Sequence, residues 1–488
     1  MPDDILHRIS RRREADLLRY GSAQGLNLPE RRASPPLPFP QAPAVICEIK
    51  RFSPSAPEIN RNLDAVDQAQ AYVFRGVRNI SVLTEQNFFG GCLGDLAAVK
   101  AAFPGVSVLR KDFLLDEEDV DVSFQAGADA FLLIASLLTR DRLEKMYRRG
   151  LDLGMTPLVE LHDIEDIRKA SVFRPPLVGI NSRDLKSFRI KPLQPLKIRA
   201  LIDWDCRVVF ESGVKTEADI AYVEETGFDA VLVGEGAVRD PGFAEKLIGT
   251  FDSASPADPE VAGPPKLFGF WRDLYERYRE GRPLIKICGI TSHADLDEII
   301  RLGADVAGFV LAESPRQVRA DFIRSCQGAD ILKVGVVVLA EGEPVPEEIR
   351  GLLREGCLDA LQFHGAELPA EYRKWPGYKA VRIRTEEDVE KAGTLPGPAV
   401  LVDAWSAAAP GGTGKRIDSL LVNKLAGRQT LWLAGGITPD NVEEVIWEFH
   451  PDLIDLSSGV ESVPGKKDHN KLRRLFESIE RASRPEED

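Results

Sequence analysis

The chain runs to 488 residues, 43% of them hydrophobic and 29% charged, with a formal net charge of −14. That length is too great for one ordinary hydrophobic core and points to two large globular domains, and the composition excludes a disordered or fibrous chain. The acidic balance argues against a nucleic-acid partner, because affinity for a phosphate backbone needs a basic footprint, so any anionic ligand must be held by local groups.

From about position 45 onward, short apolar β-rich runs alternate with longer amphipathic stretches, the pattern of repeated βα units around a parallel sheet. In the first half, strands are predicted at 45–50, 79–84, 106–111, 130–135, 156–161, 177–182, 207–213 and 230–236. Their bodies are apolar and their carboxyl ends polar. Glu48 and Lys50 lie two apart and share a face, and Lys111, Glu160, Asn181, Glu211 and Ser212 follow at later strand ends. A solvated charge explains any one of these; two lysines and three glutamates together point to a catalytic mouth. Residues 252–265, rich in Pro, Ala, Asp and Ser, read as a linker. A helix-like stretch at 267–280 comes next, and the sequence does not assign it to either neighbour. A second octet of strands is predicted at 284–290, 306–312, 332–338, 360–365, 378–384, 399–405, 431–437 and 453–460. Cys288 and Asp403 stand at the ends of its first and sixth strands, although a lone strand cysteine is usually an inert small hydrophobe. The expected layout is a domain at 1–251, a linker with connecting helix at 252–282, and a domain at 283–488.

Two octets fit an α/β architecture of two (β/α)8 TIM barrels in tandem, with open doubly wound sheets as the alternative. Barrels are preferred because both halves end alike. A glycine-bearing strand end (Glu211-Ser212-Gly213; Gly435-Gly436) is followed about 21 to 23 residues later by another (Gly234; Gly459). Barrels often build a phosphate site from the loops after strands 7 and 8, although a tight turn would explain any single glycine. Cys47, Cys92, Cys206, Cys288, Cys326 and Cys357 form no C-x-x-C pair, and no apolar leader precedes them, so reduced thiols in a cytoplasmic protein are expected. No apolar run approaches the roughly 20 residues that span a bilayer. The six histidines show no metal-ligand spacing; no metal, no cofactor, no membrane partner and a monomer are the expectations.

The strand-end residues of the first half carry a resemblance. Cys47-Glu-Ile-Lys-Arg-Phe-Ser-Pro-Ser55, Ser81-Val-Leu-Thr-Glu85 with Phe88-Phe-Gly90, Leu109-Arg-Lys-Asp-Phe113, Leu158-Val-Glu160, Gly179-Ile-Asn-Ser-Arg-Asp-Leu185 and Glu211-Ser-Gly213 resemble, in order, the motifs of indole-3-glycerol phosphate synthase. The segment from Ile5 to Ser22 resembles that family's extra helix before the first strand, with Arg12 and Arg13 read as solvated. The family closes the pyrrole ring of a phosphorylated carboxyphenylamino deoxyribulose, losing carbon dioxide and water. The resemblance implies Lys111 as the acid at the carbonyl, its pKa expected to be depressed by Lys50, and Glu160 as the carboxylate of dehydration, supported by Glu48. It implies Lys50 and Arg183 for the substrate carboxylate and Asn181 for the sugar hydroxyls, with Glu211 and Ser212 also at the substrate. The phosphate is expected on Ser53 and on N–H groups near Gly213, Gly234 and Glu235, and the aromatic ring between Phe89 and Leu132. Many relatives carry Ser where this chain has Glu235, so that carboxylate is expected to point away from the phosphate.

The second half resembles phosphoribosylanthranilate isomerase through Lys286-Ile-Cys-Gly-Ile-Thr291, Gly308-Phe-Val310 with Ser314-Pro-Arg316, Val334-Gly-Val336, Leu361-Gln-Phe-His-Gly365, Leu401-Val-Asp403 before Gly411-Gly-Thr-Gly414, Leu433-Ala-Gly-Gly-Ile437, and Asp455-Leu-Ser-Ser-Gly-Val-Glu461 with Pro464-Gly-Lys-Lys-Asp468. That family opens a ribosylamine ring to an aminoketose, which needs an acid at the ring oxygen and a base for the neighbouring carbon proton. The resemblance implies Asp403 as acid and Cys288 as base, its thiolate favoured by nearby positive potential. It implies Arg316 for the anthranilate carboxylate and Gly414, Gly436, Ser458 and Gly459 for the phosphate, so the substrates expected are phosphorylated anthranilate sugars. His364 is read as a satisfied strand-end histidine in preference to a supporting one. A histidine-pathway sugar isomerase does similar chemistry, but its pattern leads one to expect paired aspartates. A barrel kept as a scaffold with one silent site finds no support in either set of groups.

Overall fold

The computed structural model describes residues 5–30, 32–53, 60–183, 190–239, 241–252, 267–340, 342–365, 372–395, 397–403, 419–426 and 430–483. It divides into two compact units, Met1–Asp258 and Pro259–Asp488.

In the first unit the strands are β1 Val45–Ile49, β2 Asn79–Leu83, β3 Ser107–Lys111, β4 Ala130–Ile134, β5 Thr156–Leu161, β6 Leu177–Asn181, β7 Arg207–Glu211 and β8 Ala230–Val233. Each pairs in parallel with its successor, and β1 also pairs with β8, so the sheet closes into a barrel without edges. In the second unit β9 Leu284–Cys288, β10 Val306–Val310, β11 Leu332–Val338, β12 Ala360–His364, β13 Gly377–Arg382, β14 Val400–Asp403, β15 Leu431–Ala434 and β16 Leu453–Leu456 close the same way, β16 against β9. An open doubly wound sheet would leave two free edges, and neither unit has one. The strands are buried almost throughout, which is why they read as apolar runs rather than as alternating ones.

The predicted strands overran their carboxyl ends, and the reason is local. After β7 the backbone turns sharply, with Ser212 and Gly213 both at positive φ (70° and 87°). After β8, Glu235 already opens the helix Glu235–Arg239, and after β16 the chain enters the short 3-10 helix Ser458–Val460. A small antiparallel hairpin, β17 Glu461–Val463 with β18 Lys466–Lys467, was not predicted; Gly465, at a φ of 84°, lies in its turn.

Two helices correct or complete the sequence reading. On Ile5–Tyr20, Arg12 is exposed and pairs with Asp16, but Arg13 is not solvated. It is 5% exposed, and its guanidinium lies 2.5 Å from Asp119 on the helix Glu117–Gln125, because it faces that helix rather than water. The helix Gly269–Tyr275 belongs to the second unit, where Trp271 packs 5.2 Å from the Trp432 ring and Phe270 stacks on Tyr378 near the starts of β15 and β13. Truncating a buried indole costs about 3–5 kcal/mol. Trp271→Ala should therefore lower the urea midpoint for unfolding of the second unit and leave that of the first unchanged.

Candidate active sites

Because all strands of a closed parallel barrel point one way, residues at their carboxyl ends gather at one rim. Lys111 ends β3, Glu160 lies one residue from the end of β5, Asn181 ends β6 and Glu211 ends β7. Lys111 Nζ donates to Glu211 at 2.6 Å and to Glu160 at 3.2 Å. Glu160 Oε1 also accepts from His162 Nε2 at 2.7 Å and from Asn181 Nδ2 at 3.4 Å. Beside this cluster, Lys50 Nζ lies 2.5 Å from Glu48 Oε1.

Lys111, Glu160, Glu48, Lys50 and Asn181 line one pocket. Phe89 and Leu132 supply apolar wall, with Phe113 beside Phe89 at 6.1 Å. Ser53, Arg183, Ser212, Gly213, Gly234 and Glu235 line it as well. A Cβ on Gly234 would come within 2.7 Å of Glu48 Oε1 and 3.0 Å of Lys50 Nζ, so a larger residue there would have to push the ends of that ion pair aside. Glu211 is the exception among the expected substrate contacts. It is 1% exposed and lies against Lys111 instead of lining the pocket.

The electrostatics overturn one expectation. Lys111 is not depressed by Lys50, whose ammonium is held by Glu48. Burial opposes the Lys111 charge, but Glu211, Glu160 and Glu48 override it and raise its pKa above the ordinary lysine value. Burial likewise opposes charge on Glu160, yet Lys111 and His162 hold that carboxyl below its usual range. Glu211 moves the other way: burial and the adjacent Glu160 raise it against the pull of Lys111. The resting site thus holds an ammonium between one firmly ionised carboxylate and one that readily takes a proton.

Sequence reasoning missed four contributors. Leu6 and Ile9 of the first helix line the pocket, a tertiary contact with no local signal. Lys215, also in the lining, binds the Glu235 carboxylate at 2.8 Å, so the chain carries its own counter-ion for that acid. His162 shares a strand face with Glu160, two residues on, and that spacing was the available clue.

In the second unit Cys288 ends β9 and Asp403 ends β14, again at one rim. Two buried cations approach the cysteine. Lys286, in an ion pair with Asp455 at 2.8 Å, precedes it on the strand, and Lys467 Nζ donates to the Cys288 carbonyl at 2.6 Å. They do not make a resting thiolate: burial dominates and raises the thiol pKa against both lysines, with Asp455 adding to the rise. Asp403 lies 3.6 Å from Arg382 Nε. Arg316 is engaged bidentately by Glu461, at 2.9 and 2.7 Å, so a ligand carboxylate there would compete with or share an existing anion. His364 is not the satisfied histidine expected. Its buried Nδ1 has no partner among the described residues, and burial holds its pKa below the ordinary value despite Asp403.

Gly436 follows β15 at a φ of 66°, and Ser458 and Gly459 form the turn after β16. A Cβ on Gly459 would meet the Ile437 carbonyl at 2.0 Å, which demands glycine where the two loops touch. Gly414 lies outside the described residues. Among the described residues no His/Cys/Asp/Glu group could hold a metal ion, and no helix is long and apolar enough to cross a membrane.

The family model for indole-3-glycerol phosphate synthase matches residues 19–247, and that for N-(5'-phosphoribosyl)anthranilate (PRA) isomerase matches residues 285–478. Over 477 residues the chain is 30% identical to the multifunctional tryptophan biosynthesis protein of Schizosaccharomyces pombe, an alignment covering 90% of this chain and 59% of that protein. The chain therefore spans about three fifths of that relative's length. It is 41% identical over 197 residues to the indole-3-glycerol phosphate synthase of Pelodictyon phaeoclathratiforme, covering 40% of this chain and 77% of that one. A solved phosphoribosylanthranilate isomerase from Thermus thermophilus is 35% identical and aligns with 41% of this chain and 98% of its own, with a TM-score of 0.35.

Proposed function

The chain belongs to the indole-3-glycerol phosphate synthase family in its first unit and to the phosphoribosylanthranilate isomerase family in its second, and from that premise we propose a bifunctional enzyme of tryptophan synthesis. The second unit converts N-(5-phosphoribosyl)anthranilate to carboxyphenylamino-deoxyribulose phosphate. The first closes the ring of that product, releasing carbon dioxide and water, to give indole-3-glycerol phosphate. The observation that carries this reading is the Lys111 ammonium, set between Glu160 and Glu211, in the lining of a pocket with an aromatic wall.

In ring closure Lys111 protonates the carbonyl as carbon attacks it, and its carboxylate neighbours keep it charged for that task. Glu160, already ionised, serves the dehydration, and Asn181 orients the sugar hydroxyls. Lys50 and Arg183 take the substrate carboxylate, while Ser53 and the N–H groups of Gly213, Gly234 and Glu235 hold the phosphate. In the isomerase Asp403 protonates the ring oxygen and Cys288 removes the carbon proton. Arg316 binds the anthranilate carboxylate, and Gly436, Ser458 and Gly459, with Gly414, cradle the phosphate. Incubation with phosphoribosylanthranilate, without added metal, should yield first the aminoketose and then the indole product; absence of either from folded protein would end the proposal.

The Lys215–Glu235 pair supplies a finer test. Glu235→Ser removes an anion near the phosphate and frees Lys215, so KM for ring closure should fall about threefold, the size of an exposed ion-pair effect, with kcat unchanged. A raised KM would place the phosphate elsewhere.

A further inference from the structure

His162 stands behind the reacting carboxylate. It follows β5 directly, and its side chain is 10% exposed. Its placement is fixed by its own backbone: the N–H donates to Asp166 Oδ2 at 3.0 Å, and the carbonyl accepts from Gln194 Nε2 at 3.3 Å. With the strand exit held in this way, the ring Nε2–H reaches Glu160 Oε1 at 2.7 Å. Lys111 holds the other oxygen, Oε2, at 3.2 Å. The carboxylate is therefore gripped at both oxygens, by Lys111 at the end of β3 and by His162 just after β5, and His162 does not line the pocket.

Resting on the function proposed above, we infer that His162 is a positioning residue for ring closure: its Nε2–H fixes the Glu160 carboxylate, and as an imidazolium it sets the pH below which that carboxylate is lost. The charged groups facing the imidazole favour this. Glu160 on β5, Asp166 on the helix Ile164–Ala170 and Glu211 on β7 are all carboxyls; of the cations, Lys111 on β3 lies on the other oxygen of Glu160, and Lys169 on that helix pairs with Asp166 at 3.5 Å. Burial works against the imidazolium, but Glu160 and Asp166 outweigh it and raise the pKa of His162 above the ordinary histidine value. A carboxylate flanked by two cations is a firm anion; with one removed it takes a proton at higher pH.

Two variants and one spectroscopic measurement test this in the full chain. His162→Ala should lower kcat for ring closure by about tenfold or more, since a loosely held catalytic group loses much of its orientation. KM should stay within about twofold, because the imidazole does not line the pocket. His162→Gln, which keeps a donor but not the charge, should recover part of kcat while the acid limb of the kcat profile moves to higher pH in both variants. Independently of turnover, the His162 resonance should titrate above the ordinary histidine value of about 6.5 in the parent protein and fall in Glu160→Gln. An unchanged kcat and acid limb in both variants, or an imidazole titration indifferent to Glu160→Gln, would overturn the inference. If the parent protein formed no indole product, the functional reading would fail by itself, and the resonance measurement would still decide whether His162 and Glu160 act as a pair.

Discussion

Lys111→Ala is expected to cut ring closure by at least about 10³-fold while isomerisation by the same chain stays at its parental rate. The substitution removes more than an acid, whose own contribution is typically about 10²–10⁴-fold. It also strips the cation from Glu160, Glu211 and Glu48, three carboxyls that together raise the pKa of that ammonium. Without it, Glu160 and Glu211 are left as adjacent buried acids that compete for a proton, and the carboxylate proposed for dehydration loses one of its two cationic partners. Lys111→Arg should not rescue: the planar guanidinium cannot reproduce the contacts that the compact ammonium makes with Glu160 and Glu211. The measurement is steady-state turnover of carboxyphenylamino-deoxyribulose phosphate beside that of phosphoribosylanthranilate. Indole formation surviving in Lys111→Ala, or both activities vanishing from a folded chain, would contradict the assignment of separate sites.

Cys288→Ala should do the reverse, lowering isomerisation by about 10²–10⁴-fold and sparing ring closure. Its pH dependence follows from the thiol's surroundings. A base works only when deprotonated, and burial raises the Cys288 pKa in spite of Lys286 and Lys467. The ascending limb of kcat/KM for isomerisation should therefore lie at or above the ordinary cysteine range of about 8.5 rather than level off at neutrality. A limb well below that range would mean that the buried lysines win after all. Alkylation by iodoacetamide followed against pH reports the same thiol without turnover.

How much of the site was legible in the sequence differs between its parts. Lys111, Glu160 and Asn181 could be named because strand periodicity and strand order bring carboxyl-end residues of a parallel barrel to one rim, whereas Cys288 and Asp403, also at strand ends, were singled out by the resemblance of their neighbours to the isomerase family. The glycines at 213, 234, 436 and 459 were readable for a related reason: their pattern recurs in both halves, and at Gly459 a Cβ would collide with backbone. What pairs with what was not readable. Lys50 looked like a like-charge neighbour of Lys111 but is tied to Glu48, and Arg13 looked solvated but is buried against Asp119, more than a hundred positions away. Glu461 reaching Arg316 and His162 reaching Glu160 belong to the same class.

The amino-acid sequence by itself determined two octets of apolar strands and the polar residues that end them, and it favoured closed rings over open sheets, which the pairing of first and last strands then decided. Tertiary structure alone decided the protonation of those polar residues and the placement of the intervening helix Gly269–Tyr275, which packs on Tyr378 and Trp432 of the second barrel. The physical reason is one of range. Periodicity is a property of neighbouring residues, while a pKa is a sum over burial and over charges brought close by strands distant in the chain.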